Sequence, residues 1–333
     1  MPHLRKMSVL LLSCGLTYAQ RNVPDSTDHK VEFVTVETGV KLEVLDWGGT
    51  GRPVVLLAGL GDDAHVFDKF APKLTDKYHV YGITRRGFGA SDTPPVIEGS
   101  YAANRLGDDV IAVLDELKLS RPVVAGHSIA GEELSSICSR YPDRVAGLIY
   151  LDAGYQYALF VATQRDWTID GNELKRKIDA IGKATTPQEQ RALVTELIKS
   201  DLPLYAEDMT VRLKRLQDIP DRPVPPEAQT KSRAFVIPSA VVAGERRYTQ
   251  IRCPVLAIFA DPHHIVPAVP ADPKGDAEFA ARDLAKVQAQ SKAFESLGSN
   301  VHVVRIPDAD HYVFSSNESD VLKEINAFIA TLP

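Results

Sequence analysis

The chain has 333 residues, 44% of them apolar and 25% charged, with a net charge of −6. That is enough apolar material for one large α/β domain or two ordinary ones. The acidic balance leaves no global basic field for a nucleic-acid partner, and no fixed-period repeat is visible.

Arg5 and Lys6 precede an apolar run over residues 7–16, with the small residues Thr17 and Ala19 behind it. The pattern is that of an export signal over residues 1–20, so a periplasmic or extracellular location is expected. Cys14 in "LLSCG" offers the alternative of a lipoprotein signal with a lipid anchor. No later segment is long and apolar enough for a membrane-spanning helix. Cys138 and Cys253 remain after the signal and are expected as separate buried thiols.

From residue 30 onward, short apolar runs alternate with stretches of helical period, which predicts a mainly parallel sheet covered by helices. Residues 30–37 and 41–47 alternate faces around Thr38-Gly39 and read as an opening hairpin. Residues 53–59 form a buried strand, followed by a helix through Phe67 and Leu74. Another strand begins at His79 and ends in the glycine-broken loop "RRGFGASD" (85–92). Leu106, Val110, Val113, Leu114 and Leu117 mark one face of the next helix. Strands at 121–126 and 146–152 enclose a further helix.

Residues 153–250 change character: helical stretches at 174–181, 192–198 and 209–219 follow one another, then the proline-rich piece 219–227. They read as a helical cap inserted into a core of residues 30–152 and 251–333. The sheet resumes at 253–260, a long helix covers 276–297, and a strand at 301–306 precedes the closing helix.

Chemistry concentrates at "VVAGHSIAGEE" (123–133). A strand ends just before Ser128 and a helix begins just after it, the setting of a strained turn that exposes a nucleophile. Small residues at Gly126 and Ala130 let the backbone turn. With "AGLGDDAHVF" (58–67) and "IPDADHYVF" (306–314), the chain over residues 31–333 resembles the α/β-hydrolase superfamily. The resemblance implies an eight-stranded, mainly parallel sheet flanked by helices. Its serine sets the chain apart from the branches whose nucleophile is aspartate. Ala58 stands where those proteins usually have histidine, Ala130 where they have glycine, and Thr84 where aspartate is common.

Serine needs an adjacent base. His311 sits in the loop after the last strand, at the sheet edge where the serine turn also opens, and is assigned that role. The resemblance further implies an oxyanion hole from the backbone N–H groups of Leu60 and Ile129. The acid is the open member. Aligned on Val266-Pro267, the family's usual acid position holds His263, with Asp261 two residues early. Asp152 closes the strand after Ser128, a position some branches use, and is preferred over Asp261.

Asp261, His263 and His264 lack a third spaced cluster and do not read as a metal site. "RRGFGASD" lacks the third glycine of a dinucleotide loop. The expected protein is therefore an exported, cofactor-free serine hydrolase acting on a small-molecule ester, lactone or thioester. The alternatives are a C–C bond hydrolase on the same residues and a non-catalytic scaffold that binds a ligand or partner.

Overall fold

The structure of the chain, a computed structural model, describes residues 29–164, 166–217, 233–262 and 273–333. The export signal, Cys14, His263, His264, Val266-Pro267 and the proline-rich piece 219–227 lie outside the described residues. Eight strands form one sheet: β1 (Lys30–Glu37), β2 (Val40–Gly48), β3 (Arg52–Leu57), β4 (Tyr78–Ile83), β5 (Val123–His127), β6 (Gly147–Leu151), β7 (Val255–Ala260) and β8 (Val301–Ile306). Their spatial order is β1-β2-β4-β3-β5-β6-β7-β8. The β1–β2 hairpin turns at Thr38-Gly39, and β2 runs antiparallel to both neighbours. The strands from β4 to β8 are parallel.

Among the described residues, the helices of ten residues or more are α1 (Ala103–Glu116), α2 (Gly131–Arg140), α3 (Trp167–Lys183), α4 (Pro187–Glu196), α5 (Leu202–Gln217), α6 (Arg233–Val242), α7 (Pro273–Glu295) and α8 (Glu318–Thr331). Alternate strand residues feed opposite faces of the sheet. Val55, Val124, Leu148 and Val255 pack with Val110 of α1, Leu134 and Ile137 of α2, and Val287 and Phe294 of α7. On the other face, Val54, Leu56, Val123 and Ile149 pack with Phe67, Phe70 and Leu74, and with Val321, Ile325 and Phe328 of α8. Burial on both faces explains why β5, β6 and β7 read as continuous apolar runs rather than alternating ones.

Three features differ from the sequence reading. The helix expected through Phe67 and Leu74 is two short 3₁₀ turns, Ala64–Phe67 and Ala71–Leu74. Pro72 cannot donate the backbone hydrogen bond that a continuous helix would need there. α6 was hidden by Pro238 inside it and by the proline-rich piece before it. Third, Cys138 and Cys253 are joined in a disulfide rather than held as separate thiols, with Cα atoms 5.8 Å apart. The last turn of α2 lies over the entry to β7, a proximity that a sequence separation of 115 conceals.

Between β6 and β7 the chain forms α3 to α6. Asp166 caps α3 by accepting from the backbone N–H groups of Thr168 and Ile169. Arg247 then ties this layer together, pairing with Asp170 of α3 and with Asp201 between α4 and α5. Lys177 reaches Asp201 at 2.7 Å. Among the described residues, no helix is long and apolar enough to cross a membrane.

Candidate active site

The parallel strands deliver their C-terminal ends to one edge of the sheet, where loops from β3, β5, β6 and β8 meet. Such an edge is where ligands bind in open α/β sheets. Ser128 follows β5 directly, with φ of +54°. A non-glycine residue at positive φ is uncommon, and it costs backbone energy that only the surrounding structure can hold in place. Here β5 fixes one side of the turn and α2 the other. Ala130, where the family usually has glycine, is fully buried and packs tightly against Gly126.

His311 Nε2 lies 2.9 Å from Ser128 Oγ, and His311 Nδ1 lies 2.7 Å from Asp152 Oδ2. The three residues singled out from the sequence thus meet in one line. Asp152 is fully buried, so its carboxylate needs donors. Oδ1 accepts from the Ala260 backbone N–H at 3.1 Å and from the Tyr155 hydroxyl at 2.9 Å. Asp152 also holds a positive φ, +48°. Asp261, the alternative acid, faces Arg305 Nε at 3.8 Å instead of the histidine.

His127 is a neighbour of a different kind. Its Nε2–H donates to the backbone carbonyl of His311 at 2.9 Å, which anchors the loop carrying that residue. Burial, with the adjacent His311, pushes His127 down to about 3, so it stays neutral and keeps that donor.

The loop after β3 lies against the serine turn. A side chain on Gly59 would come within 2.8 Å of His127 Nδ1 and 3.3 Å of the Ser128 Cβ. This close approach requires glycine, and the next residue, Leu60, packs in one apolar cluster with Ile129. Arg85 clamps the loop from below: its guanidinium donates to Ala58 O at 2.9 Å and Gly59 O at 3.1 Å. The same group makes a buried two-point pair with Glu133, at 2.5 and 3.1 Å. Arg85 and Glu133 thereby hold a loop whose usual histidine is replaced by Ala58.

Several site residues were missed by reading the sequence. Tyr157 lies near the same residues: burial and the nearby Asp152 push its hydroxyl far above the usual range, so it stays protonated. Tyr155 is held protonated by the same two causes. Glu132 is fully buried in α2, and neither carboxyl oxygen has a hydrogen-bond partner among the described residues. Burial and then Glu245 drive it well above the carboxylate range, while burial and Asp166 push Glu245 up to about 8. The acidic doublet Glu132-Glu133, at the start of an otherwise buried helix, was the visible signal for part of this set.

Comparison with known proteins agrees with the fold. The family model described as "Alpha/beta hydrolase family" matches residues 54–324. The 2-(acetamidomethylene)succinate hydrolase of Mesorhizobium japonicum is 24% identical over 284 residues, covering 84% of this chain and 89% of that protein. Epoxide hydrolase A of Mycobacterium tuberculosis is 36% identical over 115 residues, only 34% of this chain and 35% of that one. The solved structure of a thermophilic esterase from Thermogutta terrifontis superposes with a TM-score of 0.55 at 20% identity, covering 90% of this chain and 98% of its own. At that identity the likeness speaks for the fold. A matched span running from β3 into α8, on this order of strands, means that the chain belongs to the alpha/beta hydrolase family.

Proposed function

We propose that the protein is a serine hydrolase that cleaves a carboxylic ester-type bond (ester, lactone or thioester) through an acyl-enzyme on Ser128. The observation that carries this reading is the line from Ser128 Oγ through His311 to Asp152, at 2.9 and 2.7 Å. Ser128 gives its proton to His311 Nε2 as Oγ attacks the substrate carbonyl. Asp152 holds His311 with Nδ1–H toward itself and stabilises the imidazolium that forms. The Leu60 and Ile129 N–H groups receive the developing oxyanion. His311 then passes the proton to the leaving group, and water repeats the sequence to free the acid. None of these steps calls on a metal or cofactor.

The segment after β6 supplies Tyr155 and Tyr157 to the site, which supports α3 to α6 as a cap over the substrate pocket. The Cys138–Cys253 disulfide supports export, because such bonds persist in oxidising compartments. The test is a panel of p-nitrophenyl esters, lactones and thioesters, with wild type beside Ser128→Ala. Turnover of at least one class, abolished in the variant while its melting curve is unchanged, is the expected result. Equal turnover by the variant would overturn the reading.

A further inference from the structure

Away from Ser128, three side chains converge where the start of β1 meets the first 3₁₀ turn. The ligand atoms of His29, His65 and Asp68 all lie within 4.8 Å of one another. His29 immediately precedes β1; its side chain is 1% exposed and sits edge-on to Trp47. His65 and Asp68 are three residues apart around the turn Ala64–Phe67, which sets both on one side. Asp68 stands between the imidazoles, with Oδ1 3.4 Å from His29 Nδ1 and Oδ2 3.2 Å from His65 Nδ1. Its Oδ1 is buried and makes no hydrogen bond among the described residues.

We propose that His29, His65 and Asp68 bind one divalent transition-metal ion, with Zn²⁺ as the reference ion. Two imidazoles and a carboxylate are a common donor set for Zn²⁺ and its neighbours, while Mg²⁺ and Ca²⁺ take oxygen ligands. Tetrahedral Zn²⁺ with bonds of about 2.0–2.1 Å places its ligand atoms roughly 3.3–3.4 Å apart. Asp68 already stands at about that distance from each ring, through Oδ1 to His29 and through Oδ2 to His65, and a turn of its carboxylate brings one oxygen to serve both. The two imidazole nitrogens, within 4.8 Å of each other, must draw together to close the third side, with His65, 32% exposed, as the ring nearer to water. Water would supply the fourth ligand.

Glu43 completes the arrangement from behind. Its Oε1 lies 3.6 Å from His65 Nε2, the ring nitrogen opposite Asp68. Its Oε2 accepts from the Thr84 hydroxyl at 2.7 Å, which fixes the carboxylate. Metal-bound imidazoles are oriented by a carboxylate in this manner. Asp63 adds a third acidic group close to His65, accepting from its backbone N–H at 3.1 Å. The bound ion would fasten residue 29 and β1 to the turn that continues the Gly59–Asp63 loop. It supplies no group to the ester chemistry, so the site stands or falls independently of the proposed hydrolase activity.

The experiment is calorimetric titration of Zn²⁺ into the untagged, EDTA-treated full-length chain, with Mg²⁺ as control and Co²⁺ absorption as a spectroscopic readout. The expected result is one Zn²⁺ per chain, a higher melting temperature on binding, and Co²⁺ bands of a low-coordinate site. Affinity should fall at least tenfold in Asp68→Asn and in His65→Ala, and about tenfold in Glu43→Gln. Circular dichroism identifies any variant that fails to fold, and Asp68→Asn, which preserves shape, keeps the test open in that event. No stoichiometric binding by wild type, or undiminished binding by folded Asp68→Asn, would overturn the proposal.

Discussion

Asp152 occupies a demanding position for one residue: no exposure to water, a left-handed backbone, and donors on both of its oxygens. Its charge matters to the reaction because an asparagine there removes the group that stabilises the imidazolium. In the serine-protease triad that exchange lowers kcat by about 10⁴. We expect Asp152→Asn to lose several orders of magnitude in kcat with the fold retained. Asp261→Asn, whose carboxylate faces Arg305, should stay within about tenfold of wild type. Steady-state kinetics on both variants, with melting curves as controls, checks this.

Glu245 gives a second residue-scale expectation, on stability. Its folded value is raised from 4.5 to about 8. Below pH 4.5 both folded and unfolded chains hold the proton, so burial of Glu245 carries no ionisation penalty. Between pH 4.5 and about 8 the unfolded chain releases that proton while the folded chain retains it, so stability declines over that window and then levels. Glu245→Gln should therefore melt with wild type near pH 4.5 and above it at pH 8, by at least about 2 °C. Equal melting temperatures at both pH values would remove Glu245 from the account.

At the scale of elements, the strands and their order follow from apolar runs that both faces of a sheet consume, which is why β3, β5, β6 and β7 were legible. Segments governed by single residues were less so: Pro72 splits one expected helix into two 3₁₀ turns, and Pro238 disguises α6. The disulfide was illegible for a third reason. It depends on how α2 lies over β7, not on spacing. Closing a loop of 115 residues constrains the unfolded chain by up to about 4–5 kcal/mol in the chain-entropy picture. Protein exported to an oxidising compartment should yield a Cys138–Cys253 linked peptide pair in a non-reducing digest. Its melting temperature should fall on reduction. Two alkylatable thiols in the unreduced chain would contradict this.

For the whole molecule, the sheet edge assembles a site from residues spread between positions 59 and 311. Ser128 and His311 were readable because each sits directly after a strand, where topology alone fixes the neighbourhood. Arg85, Glu133, Tyr155 and Tyr157 were not, because their roles arise from burial and from contacts between loops that meet only in three dimensions. The Ala58 substitution makes this plain: the loop keeps its shape through Arg85, 27 residues away in the chain.

The central claim is that Ser128 is the activated nucleophile of this constellation. Its most direct test is labelling of the folded chain with a fluorophosphonate, followed by peptide mapping. A single phosphonylated serine at Ser128, absent in Ser128→Ala and strongly slowed in His311→Ala, is the predicted result. A folded wild-type chain that takes no label, or takes it at another residue, would contradict the account.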